Sequence, residues 1–151
     1  MMKTFGEKAF HFFKTLKPDF KTPTGIDLLL PFTNNEARSI AKKFYEKFYD
    51  DINDRTFIIG INPGRFGAGI TGISFTDPVR LQNDCGIEND FPKKAELSSI
   101  FVYEIIKAFG GVKTFYDKFF MTAICPIGFT SNQKNINYYD NKELLETAGS
   151  T

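Results

Sequence analysis

The sequence predicts an α/β layered domain in which helices pack against a parallel sheet. Two short, continuous apolar segments, residues 56–61 (TFIIGI) and 119–126 (FFMTAICP), are typical of parallel strands that are covered on both faces. Segments with helical periodicity precede the first strand and separate it from the second. The length of 151 residues fits one domain, so we expect residues 1–151 to form a single folded unit.

Two amphipathic helices are predicted before the first strand. The first spans residues 4–16, and its apolar stripe consists of Phe5, Phe10 or Ala9, Phe13 and Leu16. Residues 17–32 then form a connection that is punctuated by prolines. The second helix lies within residues 34–51, with Asn34 or Asn35 as its N-cap. Its apolar face consists of Ala37, Ile40, Ala41, Phe44 and Phe48.

Three further helices are predicted between the two strands. Thr76 or Asp77 can cap a helix that ends at Gly86. Residues 96–111 have the spacing of an amphipathic helix that is closed by glycine. Residues 112–119 follow as a short helical segment that leads into the second strand.

The last segment predicts the start of one more helix. Asp140 and Glu143 have the spacing of a capping pair, and the chain stops about two turns later. Two parallel strands are few for a domain of this class, so we expect the C-terminal part of the fold to be missing from this sequence.

Composition and charge argue against several classes of protein. His11 is the only histidine, and Cys85 and Cys125 lie far apart in sequence, so neither a zinc site nor a Cys/His nucleophile pair is expected. We expect both cysteines to be reduced. Residues 51–91 carry three basic and six acidic side chains, which argues against an extended nucleic-acid surface in that segment.

The chain shows no targeting or membrane segment by sequence. No apolar run approaches the roughly 20 residues that cross a bilayer. The N-terminal segment carries Glu7 among its aromatic residues and lacks a small-residue cleavage site, so it is typical of an amphipathic helix rather than of a signal peptide. We therefore expect a cytoplasmic protein.

The glycine-rich loop after the first strand matches two nucleotide-binding motifs only in part. Gly64 and Gly69 have the spacing of a P-loop, but Ile70 stands where that motif needs a lysine. Residues 67–72 match Gly-x-Gly-x-x-Gly, yet that fingerprint requires a helix to open at its third glycine. No helix is predicted before Pro78, so this match is interpreted as accidental.

Residues 60–75 (GINPGRFGAGITGISF) resemble the first motif of the uracil-DNA glycosylase superfamily, in its single-strand-selective monofunctional branch. The match is gapless and keeps Gly60, Asn62, Pro63, Gly64, Phe66, Gly67, Thr71, Gly72 and Phe75. Residues 125–129 (CPIGF) and 134–137 (KNIN) resemble a second conserved stretch, so the similarity covers about residues 30–145. The resemblance implies a three-layer α/β/α fold with a short, mainly parallel central sheet. It also implies an enzyme that flips a damaged base out of DNA and cleaves its bond to the sugar.

The chemistry of that reaction gives the motif residues roles. Breaking an N-glycosidic bond leaves positive charge on the sugar and negative charge on the base, so a positioned water and donors near the base are needed. Asn62 is the implied catalytic residue, because its amide oxygen can hold the water, although an amide is not a strong base. Gly64 and Gly67 allow backbone N–H groups near base and phosphate, and Phe75 can stack on the base.

The resemblance implies two further groups of site residues and one partner. The base-binding positions are Gly60, Ile61, Pro63, Gly64, Phe75, Ala123, Cys125 and Asn135. The positions expected to contact DNA phosphates are Arg65, Gly67 and Lys134. No metal or cofactor is expected, and the expected partner is DNA that carries a damaged base, bound by a monomer.

Two departures from the family pattern limit the expected activity. Ala123 stands where family members place an asparagine whose amide reads the pyrimidine. Thr122 or Asn135 would have to take over this recognition. Xanthine and hypoxanthine therefore stay open as substrates beside uracil. No His-Pro-Ser-type motif follows Asn137, and losing its leaving-group donor costs roughly two to three orders of magnitude in rate. We therefore expect this chain to be weakly active or inactive. Two alternatives are a catalytically silent nucleic-acid-binding module and a nucleotide-binding α/β enzyme.

Overall fold

The computed structural model describes residues 2–148, which contain seven α-helices and five short strands. The helices are α1 (Phe5–Thr15), α2 (Asn35–Phe48), α3 (Ala68–Thr71), α4 (Pro78–Asn83), α5 (Leu97–Phe109), α6 (Val112–Lys118) and α7 (Lys142–Ala148). The strands are β1 (Asp27–Leu29), β2 (Thr56–Gly60), β3 (Phe119–Ala123), β4 (Gly128–Ser131) and β5 (Lys134–Ile136). Within residues 2–148, no helix combines the length and the apolar character that a membrane span requires.

The predicted α/β class is confirmed, and so is the parallel pairing of its two predicted strands. β2 and β3 run parallel, with Thr56 opposite Phe119 and Gly60 opposite Ala123. The helices α2, α3, α4, α5 and α6 lie before and between these strands in sequence. Because β2 and β3 are parallel, their carboxyl ends meet at one edge of the sheet, which is where ligands bind in sheets of this class.

A second, antiparallel sheet was not predicted from the sequence. Its strand order is β1-β4-β5, with Leu28 opposite Phe129 and Thr130 opposite Asn135. The strands are three or four residues long, too short to show an alternating pattern. The parallel part of the structure is therefore one pair of strands, and the described residues form more antiparallel than parallel pairs.

Most helix termini follow the capping residues that the sequence indicates. Asn34 is the N-cap of α2, and its side chain accepts a hydrogen bond from the Ala37 N–H at 3.0 Å. Gly110 ends α5, as the glycine pair predicted. The last helix differs, because Asn141 rather than Asp140 accepts from its first turn, at the N–H of Leu144 (2.9 Å).

Aromatic rings fill the space between α1, α2, α6 and β3. Tyr49 is 1% exposed, and its ring contacts those of Phe5, Phe44, Tyr116 and Phe120. Ring pairs at these separations add to the free energy gained by burying apolar area. The core thus lies beside the strand pair and supports β3 directly.

Two expectations about β2 and the following loop are wrong. β2 was expected to be covered on both faces, but Phe57 is 54% and Ile59 61% exposed, because among residues 2–148 nothing packs fully over the face that carries these two side chains. The loop was expected to lack helix before Pro78, but it contains α3. This helix closes at Gly72 (φ +73°) rather than opening there, so the dinucleotide fingerprint is still absent.

Candidate functional site

A cavity of about 180 Å³ opens at the carboxyl ends of β2 and β3. The strand pairing continues past the last strand residues, since the N–H of Ile124 donates to the carbonyl of Gly60 at 2.9 Å. The cavity is smaller than drug-sized pockets of roughly 300–1,000 Å³, which suits a single flat ring. Its lining residues are Gly60, Ile61, Asn62, Pro63, Gly64, Ala68, Ser74, Phe75, Glu96, Ser98, Thr122, Ala123, Asn135 and Asn137.

The side chain of Asn62 is held in one orientation just beyond the carboxyl end of β2. Its amide oxygen accepts the N–H of Tyr138 at 3.1 Å, and its amide nitrogen donates to the carbonyl of Ile136 at 3.3 Å. An amide oxygen has two lone pairs, so one acceptor position is left for a water or a ligand. Asn62 therefore joins the end of β2 to the segment after β5 and still presents an oxygen.

Phe75 lies against the tip of the same strand in a strained backbone conformation. Its φ is +54°, in the left-handed region that bulky residues rarely occupy. A Cβ added at Gly60 would lie 2.5 Å from Cζ of Phe75, so the ring rests on the bare backbone of β2. Strained residues of this kind cluster at functional sites, where the surrounding structure maintains them.

Buried hydroxyl groups hold the segment around Phe75 in place. The Thr71 hydroxyl donates to the carbonyl of Thr76 at 2.7 Å and accepts the N–H of Ile73 at 3.1 Å. The Thr76 hydroxyl lies 2.8 Å from the hydroxyl of Tyr103, a residue of α5 that is 3% exposed. The turn that carries Phe75 is therefore anchored to the core on both of its sides.

The glycine-rich loop closes on itself. The carbonyl of Gly64 accepts the N–H groups of Gly67 (3.2 Å) and Gly69 (2.8 Å). Gly67 is buried, and its N–H is used within the loop. The arrangement therefore gives no support to the expectation that Gly67 contacts a DNA phosphate, and we do not propose this role.

Basic side chains lie around Phe66 near the loop. The guanidinium of Arg65 stacks on the Phe66 ring at 4.2 Å and also donates to the carbonyl of Gln133. The ammonium of Lys94 lies 4.8 Å from the same ring. Lys134 is exposed on β5, in the hairpin that Arg65 contacts. These cations lie outside the cavity lining, as groups that meet phosphates rather than bases would.

Glu96 is a cavity residue that sequence reasoning missed. It is half-buried at the N-cap position of α5, and burial raises the pKa of its carboxyl, with a further increase from the negative charge of Asp77. Asp77 is fully buried, and its carboxylate accepts the backbone N–H of Glu96 at 2.9 Å. Nothing in the sequence brings Glu96 near the loop, because their proximity arises only from the packing of α5.

The structure brings most of the predicted base-binding residues together. The predicted residues that line the cavity are Gly60, Ile61, Asn62, Pro63, Gly64, Phe75, Ala123 and Asn135. Cys125 does not line it; this residue packs in a second core cluster with Phe129, and burial raises the pKa of its thiol. Its predicted contact with the base is therefore not supported by its position.

A second cavity of about 500 Å³ lies on the other side of the loop, between α1 and the segment around β1. Its walls are mainly apolar side chains, with Lys14, Lys17 and Arg38 among its lining residues. We place the candidate site in the smaller cavity, because polar groups converge there at the strand ends. Among residues 2–148, no cluster of His, Cys, Asp or Glu has the geometry of a metal site.

The close contact between Gly60 and Phe75 leads to a stability prediction. Gly60→Ala is expected to lower the free energy of unfolding by about 1–3 kcal/mol, because the added methyl group would overlap the ring. Urea unfolding measures this change. In a Phe75→Ala background the clash is gone, so the same substitution should cost much less. Equal costs in the two backgrounds would contradict the contact.

Comparison with known proteins identifies the family. No protein-family model matches the chain, and no curated protein matches it. A solved structure does: wild-type SMUG2 from Pedobacter heparinus shares 44% sequence identity at a TM-score of 0.93. The match covers 99% of this chain and 67% of that chain. The similarity confirms the resemblance seen in residues 60–75, and the chain belongs to the single-strand-selective monofunctional branch of the uracil-DNA glycosylase superfamily.

Proposed function

We propose that the chain is a monofunctional DNA glycosylase of weak activity, which excises uracil or a related deaminated base from DNA by water attack at the N-glycosidic bond. The observation that carries this proposal is the placement of Asn62 and Phe75 in the lining of one cavity at the carboxyl ends of β2 and β3. The similarity to SMUG2 supports a uracil-DNA glycosylase-like function for this cavity.

In the proposed mechanism the flipped base enters the cavity and stacks on the ring of Phe75. Stacking of a base on an aromatic side chain contributes roughly 1–3 kcal/mol. The hydrogen bonds of the Thr71 and Thr76 hydroxyls hold the turn that carries Phe75 before the base arrives, so little ordering is needed on binding. Asn62 uses its remaining lone pair to hold a water against the sugar, while its bonds to Ile136 and Tyr138 fix the direction of the amide.

The proposed mechanism relies on positioning and electrostatics rather than on a strong base. An amide does not take up a proton near neutral pH, so the water attacks after the bond to the base has largely broken. Arg65 and Lys134 are proposed to contact the phosphates on either side of the flipped nucleotide, with Lys94 as a further cation near Phe66. The protein is proposed to act as a monomer, with residues 1–151 as one domain.

The proposal is tested by release of uracil from a single strand that contains one deoxyuridine. Excess protein is incubated with the labelled strand, and abasic sites are revealed by cleavage in alkali. We expect slow cleavage at the uracil, in keeping with the missing His-Pro-Ser-type motif, and none in a matched strand with thymidine. Binding of the uracil strand without release would instead support the catalytically silent module.

The nucleotide-binding alternative has its own readout. A ligand present at a hundred times its dissociation constant adds about 2.7 kcal/mol to the free energy of unfolding. A thermal-shift assay with NAD or ATP would show such an increase if the cavity bound nucleotides. We expect neither compound to stabilise the chain.

A further inference from the structure

The candidate cavity contains one titratable side chain among its lining residues, that of Glu96. Within residues 2–148, neither carboxyl oxygen of Glu96 has a hydrogen-bond or ion-pair partner. A half-buried carboxyl group without a partner is costly, because its lost hydration is not replaced. The group is therefore available to a ligand that enters the cavity.

The position of the Glu96 carboxyl is set from two sides. Its oxygens lie against Gly64 and Gly67, since a methyl group on either glycine would overlap one of them. Its backbone N–H donates to one oxygen of the buried Asp77 carboxylate, while the other oxygen caps α4 at the N–H of Arg80 (2.8 Å). The carboxyl therefore lies in the wall formed by the loop that follows Asn62, where it can meet the edge of a base.

The ligand chemistry decides which form of the carboxyl is useful. Uracil and related deaminated bases present carbonyl oxygens at their edges, and these oxygens gain negative charge as the base departs. A carboxylate repels such oxygens, whereas a neutral carboxyl group donates a hydrogen bond to them. A carboxylic acid kept neutral in an apolar site is an effective donor to a developing anion.

We propose that Glu96, in its neutral form, donates a hydrogen bond to a carbonyl oxygen of the flipped base as the glycosidic bond breaks. This inference rests on the function proposed above. The bonding electron pair passes to the base, water adds to C1′ of the sugar, and the proton that this water releases goes to solvent. The departing base takes up a proton, so the products are the free base and an abasic site.

The charged groups around Glu96 favour its neutral form. The negative Asp77 lies beneath it, and burial and this charge both raise the pKa of the Glu96 carboxyl. The nearby cations Arg65 and Lys94 are engaged with the ring of Phe66 and form no ion pair with Glu96. The neutral form is populated below the raised pKa and is lost as the pH rises through it, so the proposed hydrogen bond weakens with increasing pH.

The test compares the pH dependence of uracil release by the wild-type chain, Glu96→Gln and Glu96→Ala. The wild-type rate should fall as the pH rises through the raised pKa of the Glu96 carboxyl, with Glu96→Ala about a hundredfold slower at the acidic end and independent of pH. The glutamine amide donates a hydrogen bond at every pH, so Glu96→Gln should stay within about tenfold of the wild type and lose the alkaline decline. Glu104→Gln, an exposed glutamate on the same helix, is the matched control and should behave as the wild type.

A second measurement uses binding instead of turnover. A strand with 2′-fluorodeoxyuridine resists cleavage, because the fluorine destabilises a positive sugar, and its affinity relative to a thymidine strand is measured at the same pH values. Wild-type preference for the uracil analogue that Glu96→Ala retains in full, or a wild-type rate that rises with pH, would overturn the role of Glu96. Failure of the proposed function itself is distinct: the wild-type chain would then neither release uracil nor prefer the analogue at any pH.

Discussion

Asn62→Ala is expected to lower the rate of uracil release by about a hundredfold or more, while binding of a strand with 2′-fluorodeoxyuridine stays within about threefold of the wild-type value. The amide contacts the attacking water and not the stacked base, so its loss affects the reaction more than the binding. Release is measured with excess protein in a single turnover. A rate equal to that of the wild type would contradict the proposed role of Asn62.

The control for Asn62→Ala must account for its structural hydrogen bonds. The side chain also binds the backbone at Ile136 and Tyr138, and losing these bonds should cost about 1 kcal/mol of stability. Asn141→Ala removes a comparable bond, from the N–H of Leu144, at the start of α7 and outside the cavity lining. We expect that variant to lose similar stability and to keep its rate, which separates the chemical effect from the structural one.

The site residues that the sequence predicted lie mostly within one short segment of the chain. Asn62 lies two residues after the end of β2, and the glycine at position 60 leaves room for Phe75 fifteen residues later. Turn chemistry and strand ends fix such positions within a short segment, so the pattern of residues 60–75 carries the geometry. Ala123 reaches the same edge because a parallel partner must end there.

The part that the sequence did not predict depends on contacts between distant segments. Glu96 is an ordinary glutamate before a helix until α5 packs beside the loop and brings its carboxyl to Gly64. Similarly, β1 and β4 are too short to show alternation, and their pairing joins Leu28 to Phe129 across a hundred residues. Sequence periodicity describes single elements and carries no information about such pairings.

The exposure of β2 shows a related limit. A continuous apolar segment is typical of a strand that is buried on both faces, and on this basis β2 was predicted to be covered. The pattern does not identify the covering element, and among residues 2–148 nothing covers Phe57 and Ile59 fully. The strand was therefore predicted to within one residue in extent and correctly in direction, but its environment was predicted wrongly.

Arg55→Met is expected to lower the free energy of unfolding by about 2–3 kcal/mol at neutral pH, because it breaks a charged hydrogen-bonded pair in which the arginine side chain is buried and the aspartate is partly exposed. The side chain of Arg55 is 0% exposed, and its guanidinium binds both oxygens of Asp51 at 2.7 Å. Its Nε donates to the carbonyl of Tyr116 at 2.7 Å, and its plane lies over the rings of Phe5 and Tyr49. Methionine keeps most of the volume but removes the guanidinium donors, so the Tyr116 carbonyl loses its bond from Arg55 and the carboxylate keeps its bond from the N–H of Asn53 (2.9 Å).

The same contact predicts how stability depends on pH. The hydrogen bonds from Arg55 hold the pKa of Asp51 below its usual value, so the pair stabilises the fold above the pKa of the unfolded chain and loses this effect as the pH falls through the folded value. The difference between the wild type and Arg55→Met, measured by urea unfolding, should therefore shrink on acidification to about pH 2. An unchanged difference would exclude the ion pair as its cause.

An exposed pair provides the control for Arg55→Met and shows why burial decides the size of the effect. Lys42 and Glu46 form an ion pair on α2 at 3.0 Å, with side chains that are 61% and 59% exposed. Water screens this pair, so Lys42→Met should change stability by less than about 0.5 kcal/mol.

Arg55 immediately precedes β2 and ties this strand to α6 through the Tyr116 carbonyl. The loss of Arg55 should therefore also loosen β2, whose far end leads to Asn62. Faster hydrogen exchange at the β2 amides in Arg55→Met, but not in Lys42→Met, would show this link between the core and the candidate site.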